Sequence, residues 1–158
     1  MKQVTFTKLD KNARLPVYKT DHAAGMDVYP LGDYIMINPG EVAKIKTGIS
    51  VRIPAGCYGR LAPRSSLSQK GIVVEGGVID RDYDGEIMVL MRNTTDKQYS
   101  VELKKDRDYR ICQLIVEKIY RPVVREAAVL PPIESNRTGG FGSTNRVEEE
   151  SSDDDEQE

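Results

Sequence analysis

Residues 76–86, GGVIDRDYDGE, gather more chemistry than any other stretch of the chain. Two glycines permit a tight turn, the short apolar run Val78-Ile79 buries like a strand, and Asp80, Asp82, Tyr83 and Asp84 crowd just beyond it. Carboxylates at the rim of a β-hairpin are placed to activate a water or hold a metal. Flanking glycines let a ligand approach the backbone itself. The same residues also suit an acidic β-turn, because Asp and Gly are turn formers. On this stretch alone both readings stand.

Three other segments carry polar groups in suggestive places. Ala24-Gly25-Met26-Asp27 is a Gly-Asp turn entering a strand, where Asp27 either holds a metal-bound water or closes the turn. Pro63-Arg64-Ser65-Ser66-Leu67 joins a cation to hydroxyls and fresh backbone N–H groups at a helix start. Those are the components of a phosphate cradle, and equally of an ordinary N-cap beside a surface Arg. Arg110-Ile111-Cys112-Gln113-Leu114-Ile115 reads mainly as a core strand. Gln113 is its odd polar member, either satisfied by backbone or aimed at a ligand.

Composition narrows the chemistry. His22 is the single histidine, so histidine triads, His-rich zinc sites and HExxH chemistry are poorly supported. No P-loop or dinucleotide fingerprint is present. Catalysis must then rest on carboxylates, Arg, Ser, Gln, backbone groups and a metal held by oxygen. The net charge of −2 is uneven, because eight of the 25 acidic residues follow Val147. Residues 1–147 keep 17 acids against all 23 Lys and Arg, a net of +6, which favours an anionic ligand. The basic residues are scattered without aromatic partners, so a small phosphorylated ligand is expected rather than stable nucleic acid binding.

The elements that must position these groups are short strands. Alternation or apolar character marks 4–9, 34–37, 42–49, 57–62, 72–74, 86–92, 99–103 and 110–119, with Pro39-Gly40 and Pro54-Ala55-Gly56 as punctuation. This predicts an all-β domain, a sandwich, jelly roll or barrel. Only 65–70 suits a brief helix, opening after Pro63 with serines fit to cap it. The expected organisation is a core over 1–130, a mobile Gly-rich arm over 131–147 and a disordered acidic tail over 148–158. No apolar run approaches a membrane span and the N-terminus lacks a signal-peptide core, so a soluble, intracellular protein without membrane partners is expected. Cys57 and Cys112 read as reduced thiols.

In order, AGMDVYP, APRSSLSQKG, GGVIDRDYDGE, RICQLI and GGFGSTN resemble the five motifs of the trimeric dUTP pyrophosphatase (dUTPase) family, across nearly all of residues 1–145. The resemblance implies a jelly-roll subunit in a three-fold homotrimer, with active sites shared between chains. It implies hydrolysis of dUTP to dUMP and pyrophosphate, which limits uracil in DNA and supplies dUMP for dTMP synthesis. By the same likeness Asp80 is the general base that orients water for attack on the α-phosphorus, and Mg²⁺ lies across the triphosphate with Asp27 holding it through water. Arg64, Ser65, Ser66 and Gln113 are implied phosphate contacts. Phe141, with Gly142 and Ser143, is implied to close over the bound nucleotide as the arm folds down. The family's arm Arg falls five residues before its Phe, a place held here by Asn136, and Arg137 is expected to serve instead.

Selectivity follows from the hairpin. A uracil edge paired by backbone groups of residues 74–79, Gly77, Val78 and Ile79 among them, rejects cytosine, whose donor and acceptor pattern is reversed. Close backbone approach leaves no room for the thymine methyl. Tyr83 resembles the family tyrosine that packs on the deoxyribose and excludes a 2′-hydroxyl. Two rivals remain. A dCTP deaminase of the same fold carries a catalytic glutamate three residues before an Asn, whereas Asn93 here is preceded at that spacing by Leu90. A nonenzymatic trimer that binds a nucleotide or a protein is opposed by the intact Asp80, Tyr83 and Gly-rich arm.

Overall fold

A computed structural model describes residues 2–133. The chain divides into a compact unit, Met1–Arg121, and a second unit, Pro122–Glu158. Among the described residues the compact unit is all-β, as expected, with one helix of four residues.

A four-stranded antiparallel sheet has the order β2 (Met26–Val28), β11 (Cys112–Lys118), β6 (Cys57–Ala62), β8 (Val78–Ile79). A three-stranded sheet has the order β4 (Val42–Lys46), β9 (Met88–Asn93), β7 (Ile72–Glu75). Two ribbons pair β1 (Thr5–Lys8) with β5 (Ile49–Arg52) and β3 (Tyr34–Ile37) with β10 (Tyr99–Glu102). Helix α1 (Ser65–Ser68) follows β6.

Period-two patterning builds the core. In β3, Ile35 and Ile37 point inward while Tyr34 and Met36 face out, and in β9 Val89, Met91 and Asn93 are the buried set. Ile35, Ile37, Val89 and Met91 join Val28, Ile49, Ile53, Ile72, Ile87, Ile111 and Leu114 in one apolar cluster. Asn93 is a fully buried amide, and its bonds explain why it is tolerated there. Its Nδ2 donates to the carbonyls of Ile37 (3.0 Å) and Lys97 (2.7 Å), and its Oδ1 accepts from the Thr95 backbone N–H (3.0 Å).

Two expectations change. The single strand expected over 42–49 breaks at Thr47-Gly48, where the chain leaves the β4–β9 pairing for the β5–β1 ribbon. The buried Thr47 hydroxyl donates to the Ile87 carbonyl at 2.7 Å, a side-chain bond that competes with strand pairing at the bend. Helix α1 has Arg64 at its N-cap with no side-chain capping bond, so Ser65 and Ser66 open the helix and do not cap it. Their hydroxyls are left exposed.

Residues 122–133 of the second unit carry neither helix nor strand. Val123, Val124, Val129, Leu130 and Ile133 are all exposed. Beyond residue 133, the arm with Arg137, Phe141, Gly142 and Ser143, and the acidic tail, lie outside the described residues.

Candidate active site

The stretch 72–79 is a splayed hairpin. Its strands β7 and β8 do not pair with each other, because β7 is the edge of the three-stranded sheet and β8 the edge of the four-stranded one. Each strand therefore turns an unpaired row of backbone N–H and C=O groups away from its own sheet. Gly76 and Gly77, both at positive φ, make the link between the sheets. Gly77 also lies hard against β6, where its carbonyl accepts from the Leu61 N–H at 2.7 Å, and a Cβ would stand 2.6 Å from the Leu61 carbonyl oxygen.

Beside this hairpin is a cavity of about 410 Å³. Gly77, Val78, Ile79, Asp80 and Tyr83 line it, the five residues of this stretch that the sequence reading singled out as site residues. The acidic cluster resolves into separate duties. Asp84 is ion-paired with Arg52, whose Nη1 also donates to the Arg81 carbonyl at 2.8 Å. Glu86 accepts the Gly48 backbone N–H at 2.7 Å, which ties the end of the loop to the bend after β4. The exposed Asp80 carboxylate makes no hydrogen bond or ion pair among the described residues. Its lone pairs are available to a water.

A second polar group forms where β2, β11 and the end of β6 meet. Gln113 stands opposite both Asp27 and Ala62, and its Nε2 donates to the Pro63 carbonyl at 3.1 Å. Asp27 Oδ2 accepts from Arg110 Nη1 at 2.8 Å, and Arg64 Nε lies 3.7 Å from Oδ1. Arg64 Nη1 in turn donates to the Arg110 carbonyl at 2.9 Å. Arg110 Nε is buried without a partner among the described residues. Among those residues no hydrogen bond or ion pair joins this group to Asp80 or Tyr83.

A sequence model of the dUTPase family matches residues 11–145, most of the chain. The chain belongs to the dUTPase family. It is 44% identical over 141 residues to the deoxyuridine 5′-triphosphate nucleotidohydrolase of Variola virus, covering 89% of this chain and 92% of that one. It is 42% identical over 145 residues to the mitochondrial deoxyuridine 5′-triphosphate nucleotidohydrolase of Homo sapiens, covering 91% of this chain and 55% of the human protein. The Staphylococcus bacteriophage 80alpha dUTPase solved with dUpNHpp superposes with a TM-score of 0.79 at 27% identity, covering 90% of this chain and 98% of that one. The sheets described above are thus the jelly-roll subunit expected of a dUTPase.

Several groups in this dUTPase-family site have no local sequence signature. Leu61, Lys44, Ile87, Met88 and Leu90 also line the cavity. They arrive from β6, β4 and the run into β9, so only the pairing of those strands brings them together. Arg110 was read as the start of a core strand, yet it is the closest cation to Asp27. An Arg beside an acid 83 residues away in the chain needs the fold to be found. Cys112, two residues on at the start of β11, is held as a neutral thiol. Burial first, and then the Asp27 charge, push it up to about 12, so it is no nucleophile here.

The fit to a divalent cation is narrow. Among the described residues no three His, Cys, Asp or Glu side chains gather around one point. Asp27 is already paired with Arg110 and flanked by Arg64. Such a carboxylate suits Mg²⁺ only through water, in a site where substrate phosphates and waters supply most of the ligands. That arrangement agrees with the water-mediated role expected for Asp27.

Proposed function

We propose that the protein hydrolyses dUTP to dUMP and pyrophosphate, with Asp80 as the general base. The observation that carries this reading is the cavity beside the splayed hairpin, lined by Gly77, the edge strand β8 and Tyr83, with Asp80 unpartnered among the described residues on its wall. A planar base inserted there is read by backbone groups alone. Uracil presents an acceptor, a donor and an acceptor along that edge. Cytosine reverses part of the pattern and would leave buried groups unpaired. Close approach of the base to the hairpin backbone would leave no space for a 5-methyl group. Tyr83 then packs against the deoxyribose.

Asp80 accepts a proton from water as its oxygen bonds to the α-phosphorus. The bond from that phosphorus to the oxygen bridging to the β-phosphate breaks, and pyrophosphate leaves. An exposed aspartate is a modest base, so most of the rate enhancement comes from positioning and from cationic and backbone donors around the phosphates. Arg64, Ser65, Ser66 and Gln113 supply those contacts. Arg137, Phe141, Gly142 and Ser143 close from the arm. Mg²⁺ when bound offsets triphosphate charge, and Asp27 holds one of its waters.

In the antiparallel register Gly59 faces Ile79 and Arg60 faces Val78, so Asp80 lies toward the start of β6 and Arg64 beyond its end; that separation supports completion of each site across subunits of a homotrimer. Apolar side chains left exposed at 123, 124, 129, 130 and 133 support the same assembly. The deaminase alternative loses ground because Leu90, the position that would need a glutamate, lines the cavity with an apolar side chain. No helix among the described residues is long and apolar enough to cross a membrane. The product dUMP would feed dTMP synthesis while dUTP is kept from DNA.

Asp80→Asn keeps the shape of the side chain and removes the base. The variant should bind dUpNHpp with near-parental affinity while kcat falls by at least about a hundredfold. Near-parental turnover would remove Asp80 from the role.

A further inference from the structure

We infer that Gly85 is a specificity-determining position that acts through Tyr83, by leaving the one seat in which the ring can lie across the chain. This rests on the reading of Tyr83 as the residue that packs on the sugar. Unlike Gly76 and Gly77, Gly85 is not at positive φ, so no left-handed backbone calls for glycine there. The lack of a side chain there serves something other than the turn. A Cβ on Gly85 would stand 2.5 Å from Tyr83 Oη, 2.7 Å from Cζ and 3.1 Å from Cε2. All three nearest atoms belong to one ring, so a side chain at 85 displaces Tyr83 and nothing else first.

The ring is fixed from its other contacts too. Its hydroxyl donates to the Glu86 carbonyl at 2.7 Å, and its backbone N–H donates to the Asp80 carbonyl at 3.2 Å. The loop under it is clamped by Arg52 on Arg81 and Asp84, and by Glu86 on Gly48. Yet Tyr83 is 44% exposed and lines the cavity beside Asp80. A half-exposed aromatic discriminates by sterics only if its angle is held. Here the hydroxyl bond and the bare Gly85 backbone hold it.

A methyl group at 85 requires the ring to withdraw by roughly 1 Å to reach ordinary van der Waals contact, and the Glu86 bond goes with it. Misplacements of about 1 Å in a positioning group cost on the order of a hundredfold. Gly85→Ala should therefore lower the dUTP to UTP ratio of kcat/KM by about tenfold or more, chiefly by admitting UTP. The clash falls on the end of one side chain and no left-handed φ is involved, so the variant is expected to fold.

The test is the two-substrate ratio for the full-length parent, Gly85→Ala, Tyr83→Ala and the double variant. The expected result is a fall in the first two variants and no further fall in the double one, since Gly85 acts only through the ring. A companion NMR measurement reads the seat without turnover. The Gly85 α-protons should carry a ring-current shift in the parent that is lost in Tyr83→Ala. If Tyr83→Ala lowers the ratio and Gly85→Ala does not, the inference is wrong while the sugar-packing reading survives. If Tyr83→Ala leaves the ratio unchanged, the sugar-packing reading fails and takes the inference with it. An equal fall for Gly85→Ala with and without Tyr83 would also overturn it.

Discussion

Replacing Gly77 with Ala tests whether the splayed hairpin depends on backbone contact. Gly77 has φ +94°, a region that costs an L-residue about 1–2 kcal/mol. Its new Cβ would meet the Leu61 carbonyl oxygen at 2.6 Å, and that oxygen is backbone, which cannot rotate away. Relief requires β8 to part from β6, weakening the 2.7 Å bond from Leu61 N–H to the Gly77 carbonyl, worth about 1 kcal/mol. The combined loss is about 2–3 kcal/mol, or roughly 8–12 °C in Tm for a domain of this size. Gly76→Ala is the built-in control. Its φ is +62°, but the nearest atom to its Cβ is Leu90 Cδ1 at 3.9 Å, so only the conformational cost of about 1 kcal/mol applies. Calorimetry at one fixed protein concentration, with kcat/KM for dUTP alongside, should rank parent, Gly76→Ala and Gly77→Ala in that order. Gly77→Ala with parental Tm and activity would refute the argument that this glycine is needed for close approach.

Glu117 accepts from the Tyr58 hydroxyl at 2.6 Å and from Arg60 Nε at 3.0 Å, and these two bonds hold its carboxyl below the usual glutamate range. That stabilisation is present above the ordinary value of about 4.3 and is lost as pH falls through the lowered folded value. Glu117→Gln should therefore lower Tm at pH 7, with the gap to the parent closing below about pH 4, and a gap that is constant across that range would contradict the assignment. Cys112 should resist alkylation at pH 8 in the native protein and react only after denaturation, as mass spectrometry of labelled peptides can show; rapid native labelling would mean the strand opens readily. Arg137→Ala should cost about ten- to a hundredfold in kcat/KM for dUTP with assembly intact, and Asn136→Ala much less. Equal activity of the Arg137 variant and the parent would remove it from the triphosphate.

How far the sequence reached depended on whether a feature was local. β3 and β6 match their expected spans to the residue, because Gly and Pro turn signals bracket a short, mostly apolar run in each case. The cavity-lining stretch from Gly77 to Tyr83 was legible for the same reason. The bend at Thr47-Gly48 was not, since apolar residues run on through it and the bonds that mark the change of sheet, Thr47 hydroxyl to Ile87 and Gly48 N–H to Glu86, reach partners 40 and 38 residues away. The stretch 72–79 reads as an ordinary hairpin, and nothing in its letters says that β7 and β8 belong to different sheets. Arg110 and Leu90 were hidden in another way. Their importance lies in what stands across from them, Asp27 for one and the cavity for the other, and those neighbours are set by strand register.

The most direct measurement is pyrophosphate release by the full-length protein from dUTP, UTP, dTTP and dCTP in turn, with Mg²⁺ and with a chelator. A cavity in which the base is read by hairpin backbone groups and the sugar is bounded by Tyr83 predicts rapid release from dUTP with Mg²⁺ and little from the other three. Release from dCTP or dTTP at a comparable kcat/KM, or ammonia from dCTP, would contradict the account.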